Sequence, residues 1–118
     1  MTGVSTLASE HKARHRIRVL NDNFRTTFIG GQVVMTAGVS ELSMDMKARI
    51  LLRVQTFSAF SAKNDPYGEH DFGNFTHRGQ KYFWKIDYYD ERCEFGSQDP
   101  SDPEKTTRVL TIMLADEY

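Results

Sequence analysis

Gln80-Lys81-Tyr82-Phe83-Trp84-Lys85-Ile86-Asp87-Tyr88-Tyr89 is the stretch on which the fold turns. Successive side chains of an extended chain point to opposite faces, so Tyr82, Trp84, Ile86 and Tyr88 share one side and Phe83, Lys85, Asp87 and Tyr89 the other. The first set is the expected core face. Upstream, Phe72 to His77 is a second β-rich run, and Arg78-Gly79 between the two reads as a hairpin turn. A lone hairpin is marginal in water, so other elements must cover its apolar face.

Two helical patterns supply the cover. From Ser9 to about Phe28, apolar residues recur at Ala13, Ile17, Leu20, Phe24 and Phe28, with Ser9 as N-cap and Gly30-Gly31 as terminator. Ser43 reads as the N-cap of a second helix, with Asp45 in its first turn, Met46, Ile50, Val54 and Phe57 on one face, and Phe60 at its close. Between them, Gln32-Val33-Val34-Met35-Thr36 reads as a short strand. Ala62 to Gly68 is rich in turn formers, Arg92 to Phe95 reads as an edge strand, and Gly96 to Pro103 is a loop. The last segment carries two signals. Asp102, Pro103 and Glu104 form a helix start running on through Val109, Ile112, Met113 and Asp116, whereas Thr106 to Ile112 is rich in β-branched residues. The start signal favours a helix.

The expected class is α+β: a small antiparallel sheet with an aromatic hairpin, packed against two or three helices. It forms a single domain over residues 9–118, with residues 1–8 as a loose tail. Trp84 and Ile86 are expected to pack on Leu20, Phe24, Ile50 and Val54.

Composition narrows the function. The 118 residues include 15 Lys+Arg against 16 Asp+Glu, a net charge of -1, which removes the bulk attraction of a generic nucleic-acid coat or polybasic membrane binder. Any such binding must come from a local patch. The single cysteine, Cys93, allows no internal disulfide and no thiolate zinc site, which points to a reducing cytoplasm. No run of apolar residues is long enough for a leader or a bilayer span, so no membrane partner is expected. No phosphate-binding glycine loop, dinucleotide fingerprint, serine elbow or HExxH motif occurs, so no cofactor is expected.

Several phrases carry a resemblance: Asn64-Asp65-Pro66, Gly68-Glu69-His70-Asp71-Phe72-Gly73, Phe83-Trp84-Lys85-Ile86-Asp87-Tyr88-Tyr89-Asp90 and Thr107-Arg108-Val109-Leu110-Thr111-Ile112-Met113-Leu114-Ala115. With Leu20-Asn21-Asp22, Gly31 to Val34 and Thr36 to Val39, they resemble a domain-of-unknown-function family of small bacterial proteins over roughly residues 16–118. The resemblance implies a bacterial source and an association with mobile elements; it implies no reaction and no catalytic residue.

Four groupings of side chains bear on function. Glu69-His70-Asp71 puts three metal-ligating or acid-base groups in a row at a loop-to-strand junction, and with Asp87 they suggest a metal-assisted or acid-base hydrolase whose catalytic residues are His70, Asp71 and Asp87. Neighbouring residues of an extended chain diverge, so Glu69, His70 and Asp71 meet one metal only if the backbone kinks. Asp87 lies two residues from Lys85, which also explains it as half of an ion pair. Lys12, Arg14, Arg16 and Arg18 give the first helix a basic start with no aromatic residue interleaved, fit to grip phosphates or an acidic partner. Asp90, Glu91 and Glu94 head an acidic strip that would suit a basic partner. Without a catalytic motif and with charge segregated along the chain, the leading expectation is a binding or regulatory module acting through a protein or nucleic-acid partner, with the hydrolase as alternative.

Overall fold

The computed structural model describes residues 2–118, with side chains from Leu7 onward. Its elements run α1 (Thr2–Thr27), β1 (Gly31–Met35), α2 (Ala37–Ser40), α3 (Met44–Gln55), β2 (Phe72–His77), β3 (Gln80–Tyr89), β4 (Thr107–Leu114) and a terminal 3-10 turn (Ala115–Glu117). The class is α+β. The four strands stand in the order β1-β4-β3-β2, with β2, β3 and β4 antiparallel and β1 added parallel to β4. The hairpin turns at Arg78 and Gly79, both at positive φ (50° and 80°).

Trp84, Ile86, Phe24, Ile50 and Val54 share one buried cluster with Phe75, Tyr82, Leu110 and Ile112. Leu20 is only half-buried. The true inner stripe of α1 is Ile17, Asn21, Phe24 and Arg25, so two of its four buried positions are polar. Ser43 caps α3 as expected, its Oγ accepting from the Met46 N–H at 3.2 Å.

Four local expectations are corrected. Helix α1 begins at Thr2, so it takes in residues 2–8 and Ser9 lies inside it, not at its cap. Helix α3 stops at Gln55, leaving Phe57 and Phe60 in the coil that follows, where both rings meet Trp84 edge-on. Residues Arg92 to Phe95 form turns and bends, not an edge strand, and an isolated Tyr89–Gly96 bridge follows them.

The fourth is the largest: Thr107–Leu114 is a strand, flanked on both sides by partners. Its helix-start signal is consumed locally, because Asp102 Oδ1 accepts the Glu104 N–H at 2.9 Å in a tight Asx turn. With that signal spent, β-branched residues and the burial of Arg108, Leu110 and Ile112 at every second position decide for the sheet.

A 26-residue helix is about 39 Å long. The molecule measures 55 × 32 × 24 Å. Residues 7–12 of α1 are exposed, and the 62–68 turn lies against the helix from His11 to Arg18. None of the described helices is long and apolar enough to cross a membrane.

Candidate functional site

A polar seam locks α1 to the hairpin. Asn21, fully buried, donates from Nδ2 to the Glu69 carbonyl at 2.9 Å and to the Tyr88 hydroxyl at 2.8 Å, and its Oδ1 accepts from Arg108 Nε at 2.7 Å. The Tyr88 hydroxyl in turn donates to Glu69 Oε1 at 3.0 Å. Burial, reinforced by the charges of Asp71 and Glu69, drives the Tyr88 phenol far above its ordinary pKa and keeps it a neutral donor. Arg108, 3% exposed, lies over the Tyr88 ring, and burial lowers its pKa from the usual arginine value.

One turn along α1, Asp22 and Arg25 extend the seam. Arg25 Nη1 donates to the Val54, Gln55 and Phe57 carbonyls at 2.9, 3.3 and 3.0 Å, capping the end of α3, where a cation meets the negative end of the helix dipole. Arg25 also pairs with Asp22 at 3.2 Å and sits over the Trp84 and Phe60 rings. It is a structural cation, not part of a surface patch.

His70 lies flat on Phe60, with centroids 3.7 Å apart. Its Nδ1 stands 2.9 Å from Asp22 Oδ1 and its Nε2 3.6 Å from Asp65 Oδ2. The kink that would let Glu69, His70 and Asp71 converge is present, at His70 itself (φ 55°), but the three side chains part. Glu69 goes to Tyr88 and His70 to Asp22 and Asp65. Burial, with repulsion from Glu69, Asp65 and Asp87, raises the pKa of Asp71. Asp87 pairs with Lys85 at 3.0 Å. Among the described residues no three of His, Cys, Asp and Glu stand where they would hold a metal ion. Asp22 thus holds His70 Nδ1, while Nε2 makes only the longer 3.6 Å approach to Asp65.

The basic half of α1 divides into two faces. His11, Arg14, His15 and Arg18, spaced i, i+3, i+4, i+7, form a single stripe that lines a recess of about 360 Å³ against Ala62, Asp65, Pro66, Tyr67 and Gly68. Arg14 sits 5.1 Å from the Tyr67 ring centroid, and Arg18 Nη2 donates to His15 Nδ1 at 2.8 Å. The turn that brings Tyr67 there is tied down by bonds from Asp65 N to Ser61 O (2.8 Å) and Gly68 N to Asp65 O (3.1 Å). Lys12 and Arg16 are exposed outside this recess, and Arg16 lies within electrostatic reach of Asp99. The structure thus separates Arg14 and Arg18 from Lys12 and Arg16, and adds His11, His15 and Tyr67.

Asp90 and Glu91 line a second recess with Arg92, Phe95 and Lys105, next to Glu94. Asp90 Oδ1 accepts the Glu94 N–H at 3.0 Å, and such backbone donors hold its pKa below the usual carboxylate value. Cys93 is free and exposed on the same turn.

A family model described as a protein of unknown function, DUF3768, matches residues 35–117. The chain belongs to the DUF3768 family. The DUF3768 match takes in the 62–68 turn, Glu69 to Asp71 and strands β2 to β4, whereas α1, with the basic stripe, Asn21, Asp22 and Arg25, precedes it. No curated protein and no solved structure matches the chain.

Proposed function

We propose that this chain is a nucleic-acid-binding module that takes a sugar-phosphate backbone into the recess between α1 and the 62–68 turn. The observation that carries this reading is the convergence of Arg14 and Arg18, with His11 and His15, on an exposed tyrosine 49 or more positions away in sequence. Guanidinium groups bind phosphate oxygens through charge-assisted, often bidentate hydrogen bonds. Asp65 is the one carboxylate among the described residues lining the recess, and it is already engaged, its oxygens accepting the His70 N–H at 3.3 Å. Phosphate therefore meets cations with little competition.

The charge layout supports the same reading. With a net charge of -1 the chain has no general affinity for polyanions, and the acidic turn at Asp90, Glu91 and Glu94 repels them. Binding then depends on a local cluster of cations such as the one on α1. A protein partner gripped through the acidic turn would instead need cations of its own and no contact with α1.

The test is fluorescence anisotropy of a labelled oligonucleotide at low salt, with paired substitutions. Arg14→Gln and Arg18→Gln should each weaken binding about tenfold, the worth of one charged hydrogen-bonded contact. Lys12→Gln and Arg16→Gln should weaken it about threefold or less, as long-range charges do. Equal losses at all four positions would refute the recess, and no binding at any salt would refute the function.

A further inference from the structure

We infer that the nucleic acid held here is an unpaired strand, one base of which lies on Tyr67; this rests on the reading just given. Tyr67 is 64% exposed and lines the recess, so its ring is open to a ligand. The Arg14 guanidinium lies over one face of the ring, 5.1 Å from its centroid, so a base stacks on the opposite face with charge close behind it. That pairing recurs where proteins track single strands, because every unstacked base offers a π-face and every linkage a phosphate. A duplex keeps its base faces inside the stack and leaves Tyr67 nothing to cover.

Shape points the same way. The recess is a shallow, open trough of about 360 Å³ between one helix and one turn, which a single strand can lie along. Arg14 and Arg18 are four residues apart on α1, about 6 Å along its axis, so consecutive phosphates of one strand can meet consecutive turns of helix. The platform is also preformed. Pro66 precedes Tyr67, Gly68 follows it at φ 66°, and Asn64 bonds back to Ser61 and Ala59, so little ordering is required on binding.

The experiment is anisotropy at low salt with labelled oligo(dT), oligo(U) and a mixed-sequence duplex of equal length, using the full chain. Both single strands should bind at least tenfold tighter than the duplex. A preference between oligo(dT) and oligo(U) then tells DNA from RNA. Tyr67→Ala should weaken single-strand binding about tenfold, leave the duplex unchanged, and be rescued by Tyr67→Phe. Tyr67 is exposed, so these variants retain the fold, and a thermal melt checks that they do. Equal binding of duplex and single strand, or a Tyr67→Ala variant indistinguishable from the parent while Arg14→Gln and Arg18→Gln still weaken binding, would overturn the strand inference and leave the proposed function standing. Failure of all three probes to bind would overturn both.

Discussion

Replacing Asn21 by leucine tests whether the polar seam sets the position of α1 on the sheet. The side chain is fully buried and satisfies three partners at 2.7 to 2.9 Å: Arg108 Nε, the Tyr88 hydroxyl and the Glu69 carbonyl. Leucine fills nearly the same volume and removes all three bonds. The Glu69 carbonyl loses its donor, worth about 1 kcal/mol, and Tyr88 loses an acceptor role worth about as much again. The larger loss is at Arg108, a guanidinium 3% exposed whose remaining bond is to the Pro100 carbonyl. Leaving a buried charged donor short of a partner costs about 2–3 kcal/mol, against which the leucine methyls return about 1 kcal/mol. The expected net loss is about 3–4 kcal/mol, a large part of the ~5–15 kcal/mol that stabilises a domain of this size. Urea unfolding should show a lower midpoint with an unchanged slope. Asn23→Leu, on the exposed side of the same helix, should change stability by less than about 0.5 kcal/mol. A double-mutant cycle with Tyr88→Phe should show coupling above about 0.5 kcal/mol, as groups in one hydrogen-bonded network do. A loss below about 1 kcal/mol for Asn21→Leu would refute the seam as the element that holds α1 in place.

Two further outcomes follow from the core and its edge. At Gly73 a Cβ would stand 2.5 Å from Trp84 Nε1 and 2.8 Å from Phe57 Cε1, so Gly73→Ala should lower stability by about 1–3 kcal/mol in chemical unfolding, and a neutral result would show that Trp84 does not lie against β2. Asp71 has its pKa raised by burial and by neighbouring carboxylates, so the folded state binds its proton more tightly than the unfolded chain and stability falls as pH rises from the unfolded carboxylate value through the folded one. Asp71→Asn should therefore melt at the same temperature as the parent near pH 3 and higher than the parent at pH 7; a lower melting temperature at pH 7 would show that the charged form is stabilised.

The hairpin was readable because its code is local: alternation in Gln80–Tyr89 survives into the buried Tyr82, Trp84 and Ile86. The Ser43 cap was readable for the same reason, since its partner Met46 lies three residues on. Strand β4 was misread because Asp102 caps a two-residue Asx turn with the same letters that start a helix, and because the neighbours that make it a central strand lie far away in sequence. The inner stripe of α1 was blurred by Asn21 and Arg25, whose burial depends on Tyr88, Arg108 and the end of α3 and so leaves no trace in hydropathy. The basic face of α1 was visible in Arg14 and Arg18, and the i, i+3, i+4, i+7 spacing of His11, Arg14, His15 and Arg18 would have isolated the stripe. Tyr67 was not visible as part of it, because only the fold brings the 62–68 turn to that helix.

The measurement that bears most directly on the central claim is the salt dependence of single-strand binding, compared between the parent chain and the Arg14→Gln/Arg18→Gln double variant. Each phosphate neutralised on a single strand releases counterions and contributes about -0.7 to the slope of log K against log salt. If Arg14 and Arg18 each hold a phosphate in the recess, the double variant should give a slope shallower by about 1.4 and converge on the parent as salt rises. Identical slopes for the two proteins would contradict the account, because the cations that line the recess would then touch no phosphate.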